Sequence, residues 1–409
     1  MSETLPEAQQ GAAFRPLDGV RVVEFATSVA GPHATMILAQ LGADVIKVES
    51  PDGDDARAWP PHVGDRSLVH RQMSVGKRGI VVDLKSPQGV GVALDLTDRA
   101  DVVLQAMRPG VVDRIGIGQA AVRARNPDVI YYDMNAFGTG PAGRAMPGYD
   151  PMVQAVTGIM EMTGHDGSPP TRCAPSLIDF GTSQWIAMGV LAAILARQRG
   201  QPVRSMETAL VDTGFSVVSY QAAAARISGK RPPRAGSGNP IAAPYQCYRA
   251  RDGNLLIAAP NQRLWQAVVR VLEAPALLDD PRFLTVSLRS ANLVELEAAL
   301  TALLSRHDAD DWIARLTAAG VPVTRVYGLE QAVVSDLASE RGTFMESDGV
   351  PLVRLPWLVD GKPIAWGAPA PRLGQHTREI LRELGYDDAR IAALAACSAI
   401  REDNVGASS

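Results

Sequence analysis

The chain has 409 residues, 46% of them hydrophobic and 21% charged, with a formal net charge of −4. That length exceeds one ordinary hydrophobic core, so two domains or one large α/β domain with an insertion is expected. The basic residues are scattered singly, apart from the short groups Lys77-Arg78 and Lys230-Arg231 with Arg234, so there is no nucleic-acid footprint. Three cysteines, Cys173, Cys247 and Cys397, lie far apart and without paired spacing, which argues against a disulfide framework or a metal site. The longest apolar runs, such as residues 185–195, are too short for a bilayer, and the opening residues lack the pattern of a secretory leader. A soluble, cytoplasmic protein without a membrane or nucleic-acid partner is therefore expected.

After a polar N-terminal arm, residues 20–25 form an apolar run suited to a buried strand. Pro32 marks a helix start, and Ala34, Ile37, Leu38 and Leu41 follow at helical spacing until Gly42. Residues 43–48 supply a second buried strand ending at Glu49, which completes a βαβ unit. Strands at 79–84, 101–105 and 129–135, with a helix at 88–99, continue the alternation, the pattern of a parallel sheet covered on both faces. Glu49 occupies the place of the acidic residue in a dinucleotide fold. Yet the first turn, from Ala26 to Pro32, lacks the G-x-G-x-x-G that admits a pyrophosphate, which argues against nicotinamide chemistry.

Residues 148–183 set two isolated carboxylates, Asp150 and Asp179, among small and apolar neighbours. Asp179 closes the apolar run 175–178 ahead of a helical pattern over 183–197. At such a junction a carboxylate is either an N-cap or a reactive group stabilised by backbone N–H groups. Residues 184–199 and 207–226 read as long helices. A basic connector rich in Pro and Gly, 229–244, suits a domain crossing or an active-site loop. Residues 245–258 read as a hairpin turning at Arg251-Asp-Gly-Asn254. Helices at 262–272, 292–305 and 309–319, a short strand at 322–326 and a helix at 377–384 complete the series. Trp185, Trp265 and Trp312 fall on apolar helical faces and read as core. Residues after about 401 read as a disordered tail.

Five blocks carry a resemblance: LDGVRVVEFATSVAGPHATMILAQLGADVIKVESPDGDDAR at 17–57, GKRGIVVDLKSPQG at 76–89, RPGVVDRIGIG at 108–118, NPDVIYYDMNAFGTGPAG through GYDPMVQAVTG at 126–158, and PRLGQHTREILRELG at 371–385. In this order they resemble the family III CoA transferases, which include formyl-CoA transferase and carnitine CoA transferase and share their fold with α-methylacyl-CoA racemase. Pattern and resemblance together give an α/β protein. A large CoA-binding domain with a Rossmann-like parallel sheet is expected from 1–225 with 355–409, and a smaller α+β domain from 240–340. Linkers are expected at 226–239 and 341–354. The resemblance further implies a homodimer whose two chains interlock as linked rings.

The implied activity moves CoA from an acyl-CoA thioester to a small carboxylic acid, without a metal. Asp179 falls at the position of the family's nucleophile, which attacks the thioester to give a mixed anhydride and then an aspartyl-CoA thioester. Asp150 matches a second acidic position, which assists the site in the transferases and exchanges an α-proton in the racemases. The racemases pair it with an upstream histidine, whereas this chain has none between His70 and His165, so transfer is preferred. An acyl-CoA racemase using Asp150 and a catalytically silent CoA-binding protein are the alternatives.

By the same resemblance, CoA contacts fall on the turn Val29-Ala30, the segment Val82, Asp83, Leu84 and Lys85, the pair Ala106-Met107, Arg114 and Tyr149. Lys85 and Arg114 are candidates for the phosphates; a strand-end lysine and an arginine bridged to Asp113 are the plainer alternatives. Val29, Ser50 and Ala106-Met107 depart from the residues of formyl-CoA transferase. Gly236 and Gly238 lie near the place of the glycine-rich loop that covers the nucleophile in the transferases, and their N–H groups are candidate oxyanion donors. The same stretch, from Arg234 to Pro240, also suits a flexible linker. His165, in Gly-His-Asp-Gly, reads as a solvent-exposed loop residue.

Overall fold

A computed structural model of the chain describes residues 14–239 and 241–403. The N-terminal arm up to residue 13, Pro240 of the glycine-rich connector and the tail from 404 lie outside the described residues. By internal contacts the chain divides into two units. One runs to Thr157, resumes over Ala174–Val218 and returns from Ser339; the other takes Gly158–Cys173 and Ser219–Ala338.

The first unit is organised by strands that bury both faces. In Arg21–Phe25 (β1), Val22 feeds one apolar cluster while Val23 and Phe25 feed a second on the opposite side. Side chains alternate across a strand, so one short run serves two cores. Ala30–Gln40 (α1) leads to Asp44–Glu49 (β2), where Val45 joins the first cluster and Ile46 and Val48 the second. The strands Val102–Gln105 (β4) and Ile130–Asn135 (β5) repeat this arrangement, while Arg78–Val82 (β3), followed by Pro87–Thr97 (α2), sends Ile80 and Val82 into the second cluster. Further along come Asp150–Val156 (α3), Leu177–Gln198 (α4), Ser205–Ala209 (β6) and Leu210–Val217 (α5).

Near the end of the chain, Ile400–Arg401 adds a last strand that pairs antiparallel with β3. From that edge the sheet continues β3-β2-β1-β4-β5-β6, all parallel. The chain builds outward from β1 to β3, then crosses back to β4 on the other side. Such a reversal opens a crevice beyond the carboxyl ends of the central strands. Helices α1 and α4 cover one face, and α2 with the helices Thr377–Glu383 and Asp388–Ala396 covers the other.

Several expectations are corrected here. The helix expected over 207–226 is instead β6, α5 and the separate helix Ser219–Ser228. As an edge strand, β6 leaves Ser205 and Glu207 exposed, so no apolar run announces it. Helix α4 starts at Leu177, six residues before the expected start. At 22 residues it is long and apolar enough, by length and composition alone, to cross a membrane, which residues 185–195 did not suggest. Its inner face packs into the first cluster through Ile186, Val190 and Ile194, while Trp185, Met188 and Leu195 are each nearly half exposed. Trp185 is therefore not core, unlike Trp265 and Trp312.

The second unit is built around the antiparallel sheet of Val323–Arg325, Asn254–Ala258 and Tyr245–Arg249, so the expected hairpin forms. Its core gathers Trp265, Phe283, Leu296, Leu300 and Trp312. Arg289 is fully buried within it and donates to the carbonyls of Ala243 (2.8 Å) and Phe283 (2.9 Å) and to the Gln262 side chain (3.0 Å). Its cationic head lies 5.1 Å from the centre of the Trp265 ring.

Candidate active site

The carboxyl ends of β1 to β5 open onto a cavity of about 1270 Å³ within the first unit. Its wall takes in each of the twelve residues expected from the large domain. Val29 and Ala30 come from the β1–α1 turn, Val82 to Lys85 from the end of β3, and Ala106, Met107 and Arg114 from the segment after β4. Tyr149 and Asp150 enter at the start of α3, and Asp179 at the start of α4. The turn at Gly31 depends on the absence of a side chain, because a Cβ there would approach the Ala26 Cβ to 2.5 Å. Glu49 also lines the cavity, but its carboxylate pairs with Arg57 at 2.6 Å and accepts the Asp54 N–H at 2.9 Å. Burial pushes the Glu49 carboxyl up, but Arg57 and Lys47 outweigh it and leave it below the ordinary value. This acid anchors a loop.

The two aspartates have distinct stations. Asp179 is the third residue of α4, inside its first turn, and is not the N-cap. Ser176 stands at that cap without a side-chain hydrogen bond. The capping oxygen comes from Asp150, whose Oδ2 accepts the N–H of Ile178 at 2.7 Å and that of Asp179 at 3.3 Å. Its Oδ1 accepts from Gln154 Nε2 at 2.7 Å, and the residue is 2% exposed. Asp150 thus fixes the backbone that carries Asp179, while the positive end of the α4 dipole stabilises negative charge at that turn.

A histidine braces the same turn from α1. His33 Nδ1 lies 2.6 Å from Ser183 Oγ, which itself donates to the Phe180 carbonyl at 2.6 Å, so His33 is the donor of the pair. Its ring meets Phe180 edge-on at 4.8 Å. Burial, with Lys77 nearby, lowers His33 to about 4 and keeps the ring neutral. Sequence order alone hides this neighbour, since 150 residues separate His33 from Ser183.

Gly236 and Gly238 belong to the second unit. Gly236 has φ +57°, and a Cβ there would come within 2.5 Å of the His165 ring. Its N–H donates to Gly164 at 2.9 Å, and that of Gly238 to Ala235 at 2.7 Å. Both N–H groups are hydrogen-bonded within the second unit in this arrangement. Arg234 ties the same stretch to Glu161 through its carbonyl (2.5 Å) and carboxylate (2.9 Å). His165 is exposed, as expected.

The cavity wall also includes Arg108 and Trp59, neither of which was singled out from the sequence. Arg108 opens the block RPGVVDRIGIG and was legible as a third cation beside Lys85 and Arg114. Trp59 follows a single 3-10 turn, Asp55–Ala58, and has no periodic signal around it.

The family model for CoA-transferase family III matches residues 17–377. The acetyl-CoA:oxalate CoA-transferase of Acetobacter aceti is 34% identical over 394 residues, covering 95% of this chain and 100% of that protein. The succinate–glutarate CoA-transferase of Agrobacterium fabrum is 32% identical, covering 90% and 96%. A crystal structure of a CAIB/BAIF family protein from Brucella suis matches with a TM-score of 0.82 at 32% identity, covering 92% of this chain and 100% of that one. Extent, identity and fold agree with the resemblance carried by the five blocks, and the chain belongs to CoA-transferase family III as an acyl-CoA:carboxylate CoA-transferase.

Proposed function

We propose that this enzyme transfers CoA by covalent catalysis at Asp179. The observation that carries the reading is the position of Asp179 in the wall of a cavity that also presents Lys85, Arg108 and Arg114. These cations suit the phosphates of CoA, and the cavity volume suits a large, extended thioester. The Asp179 carboxylate attacks the thioester carbonyl; the C–S bond breaks and CoA leaves as thiolate, giving an acyl-aspartyl anhydride. The thiolate then attacks the aspartyl carbonyl and releases the first acid, giving an aspartyl-CoA thioester. An incoming carboxylate attacks that thioester, and the returning thiolate takes the new acyl group, regenerating Asp179.

Asp150 holds the start of α4 in this scheme. Both its oxygens are engaged, which supports a positioning role over α-proton exchange. The relatives named for oxalate and glutarate support a dicarboxylic acid as acceptor. The exposed face of α4, with Trp185, Met188 and Leu195, supports coverage by a second copy in a soluble, cytoplasmic homodimer, interlocked as in the family resemblance.

Hydroxylamine or borohydride added during turnover is expected to modify Asp179. Asp179→Asn is expected to lower kcat by at least about a thousandfold, and a variant that transfers CoA at the normal rate would sink the proposal. A mass-spectrometric screen of acetyl-CoA and succinyl-CoA against oxalate, glutarate and other acids assigns donor and acceptor.

A further inference from the structure

The turn between β1 and α1 and the first residue of α1 contribute five consecutive residues, Ala26 to Ala30, to the cavity wall. At its centre Ser28 has φ +72°, the left-handed region that L side chains other than Asn and Asp rarely enter. Nothing in the local sequence favours that conformation at a serine. Something outside the turn must hold it.

The hold comes from beneath. The Ser28 N–H donates to Asp54 Oδ1 at 3.0 Å. Asp54 is 3% exposed and fixed in turn, since Oδ1 also accepts the Ala56 N–H at 2.9 Å and Oδ2 pairs with Lys47 Nζ at 2.7 Å. Lys47 further donates to Glu24 at 2.9 Å and to the carbonyl of Ala26 at 2.8 Å, which pins the front of the same turn. Lys77 joins Glu24 at 2.8 Å to the carbonyl of Pro32 at 2.7 Å, which pins the rear. Thr35 donates to Glu24 at 2.6 Å. Four buried charges therefore grip the turn at Ala26 and Ser28 and the start of α1 at Pro32, and each charge is paired within the group.

We propose that Asp54 is a positioning residue for CoA binding, acting by holding Ser28 left-handed so that Val29 and Ala30 are presented to the ligand. The inference rests on the cavity being the CoA site, as argued above. Asp54 itself does not line the cavity and contacts no reacting atom. Its effect is on ligand affinity rather than on the chemical step.

The test is binding of free coenzyme A by calorimetry, with steady-state kinetics, on the full-length enzyme. Asp54→Ala is expected to raise both Kd and the KM for acyl-CoA about tenfold, the scale set by the left-handed preference, with kcat unchanged. Ser28→Gly placed in that background is expected to recover most of the loss, because glycine enters the left-handed region without a side-chain penalty. Ser28→Gly does not replace the lost Asp54–Lys47 pair, so an effect that came from that pair alone would not be rescued. Affinity unchanged in Asp54→Ala, or lost and not recovered, overturns the proposal while leaving the CoA site in place. A wild-type enzyme without affinity for CoA overturns both. Should Asp54→Ala not fold, amide hydrogen exchange over residues 26–30 in Asp54→Asn decides: faster exchange is expected, and unchanged exchange overturns the proposal.

Discussion

Asp150 and Asp179 show how one residue type divides into two roles through placement. Asp179 is partly exposed in the cavity wall, whereas Asp150 is buried with both oxygens committed, two of its three bonds going to the first turn of α4. Removing Asp150 leaves two helix N–H groups without their acceptor, so Asp150→Ala is expected to destabilise the protein by about 1–2 kcal/mol. The same change lets the turn bearing Asp179 shift, and a misplacement near 1 Å costs about a hundredfold in rate. Denaturant midpoints and single-turnover transfer measure the two effects; a stable Asp150→Ala enzyme with normal transfer would exclude the positioning role. Both carboxylates were legible as a pair set among apolar residues. Which of them caps the helix was not, because the cap crosses 28 residues of chain and depends on how α3 meets α4.

At the scale of elements, the parallel strands were legible because each buries both faces and so reads as an unbroken apolar run. Edge strand β6 alternates exposed with covered positions and merged, in sequence, with the helices after it. The early start of α4 was hidden by the turn-like stretch around Pro175, since its first turn is held by a distant side chain. The outer face of α4 was hidden for a related reason. Helical spacing marks an apolar stripe, but not what covers it, and Trp185 reads the same whether it meets its own core or another molecule. The exposed Trp185, at 47%, and Met188, at 49%, argue for the second. In the proposed interlocked homodimer, Trp185→Glu combined with Met188→Glu is expected to block assembly as the chains fold, so that the variant sediments more slowly than wild type in sedimentation velocity. A double variant that sediments as wild type would assign that face another role.

Across the whole molecule, polar groups buried beneath the sheet ends couple stability to pH. Burial holds three histidines below their ordinary value of 6.5: His33 at about 4, with Lys77 adding to the effect, His70 at about 2, with Arg57 and Lys47 adding, and His376, with Arg78 and Arg372 adding. The unfolded chain therefore binds protons that the folded chain does not. Stability is full above pH 6.5 and falls as pH decreases through the window from 6.5 to about 4 for His33, and on toward 2 for His70. Each histidine contributes a slope of about 1.4 kcal/mol per pH unit inside its window. Glu24 adds a second phase: burial raises its carboxyl, but Lys47 and Lys77 outweigh burial and bring it to about 2. Its contribution is present above the ordinary value of 4.5 and is lost only as pH falls from there toward 2. Urea midpoints measured from pH 7.5 to 4.5 are thus expected to decline from about pH 6.5, above the range in which Glu24 titrates. The double variant His33→Gln with His70→Gln is expected to make that decline shallower, leaving the share of His376 above pH 4.5 and the loss from Glu24 below it. An unchanged slope between pH 6.5 and 5 in the double variant would show that other groups take up the protons.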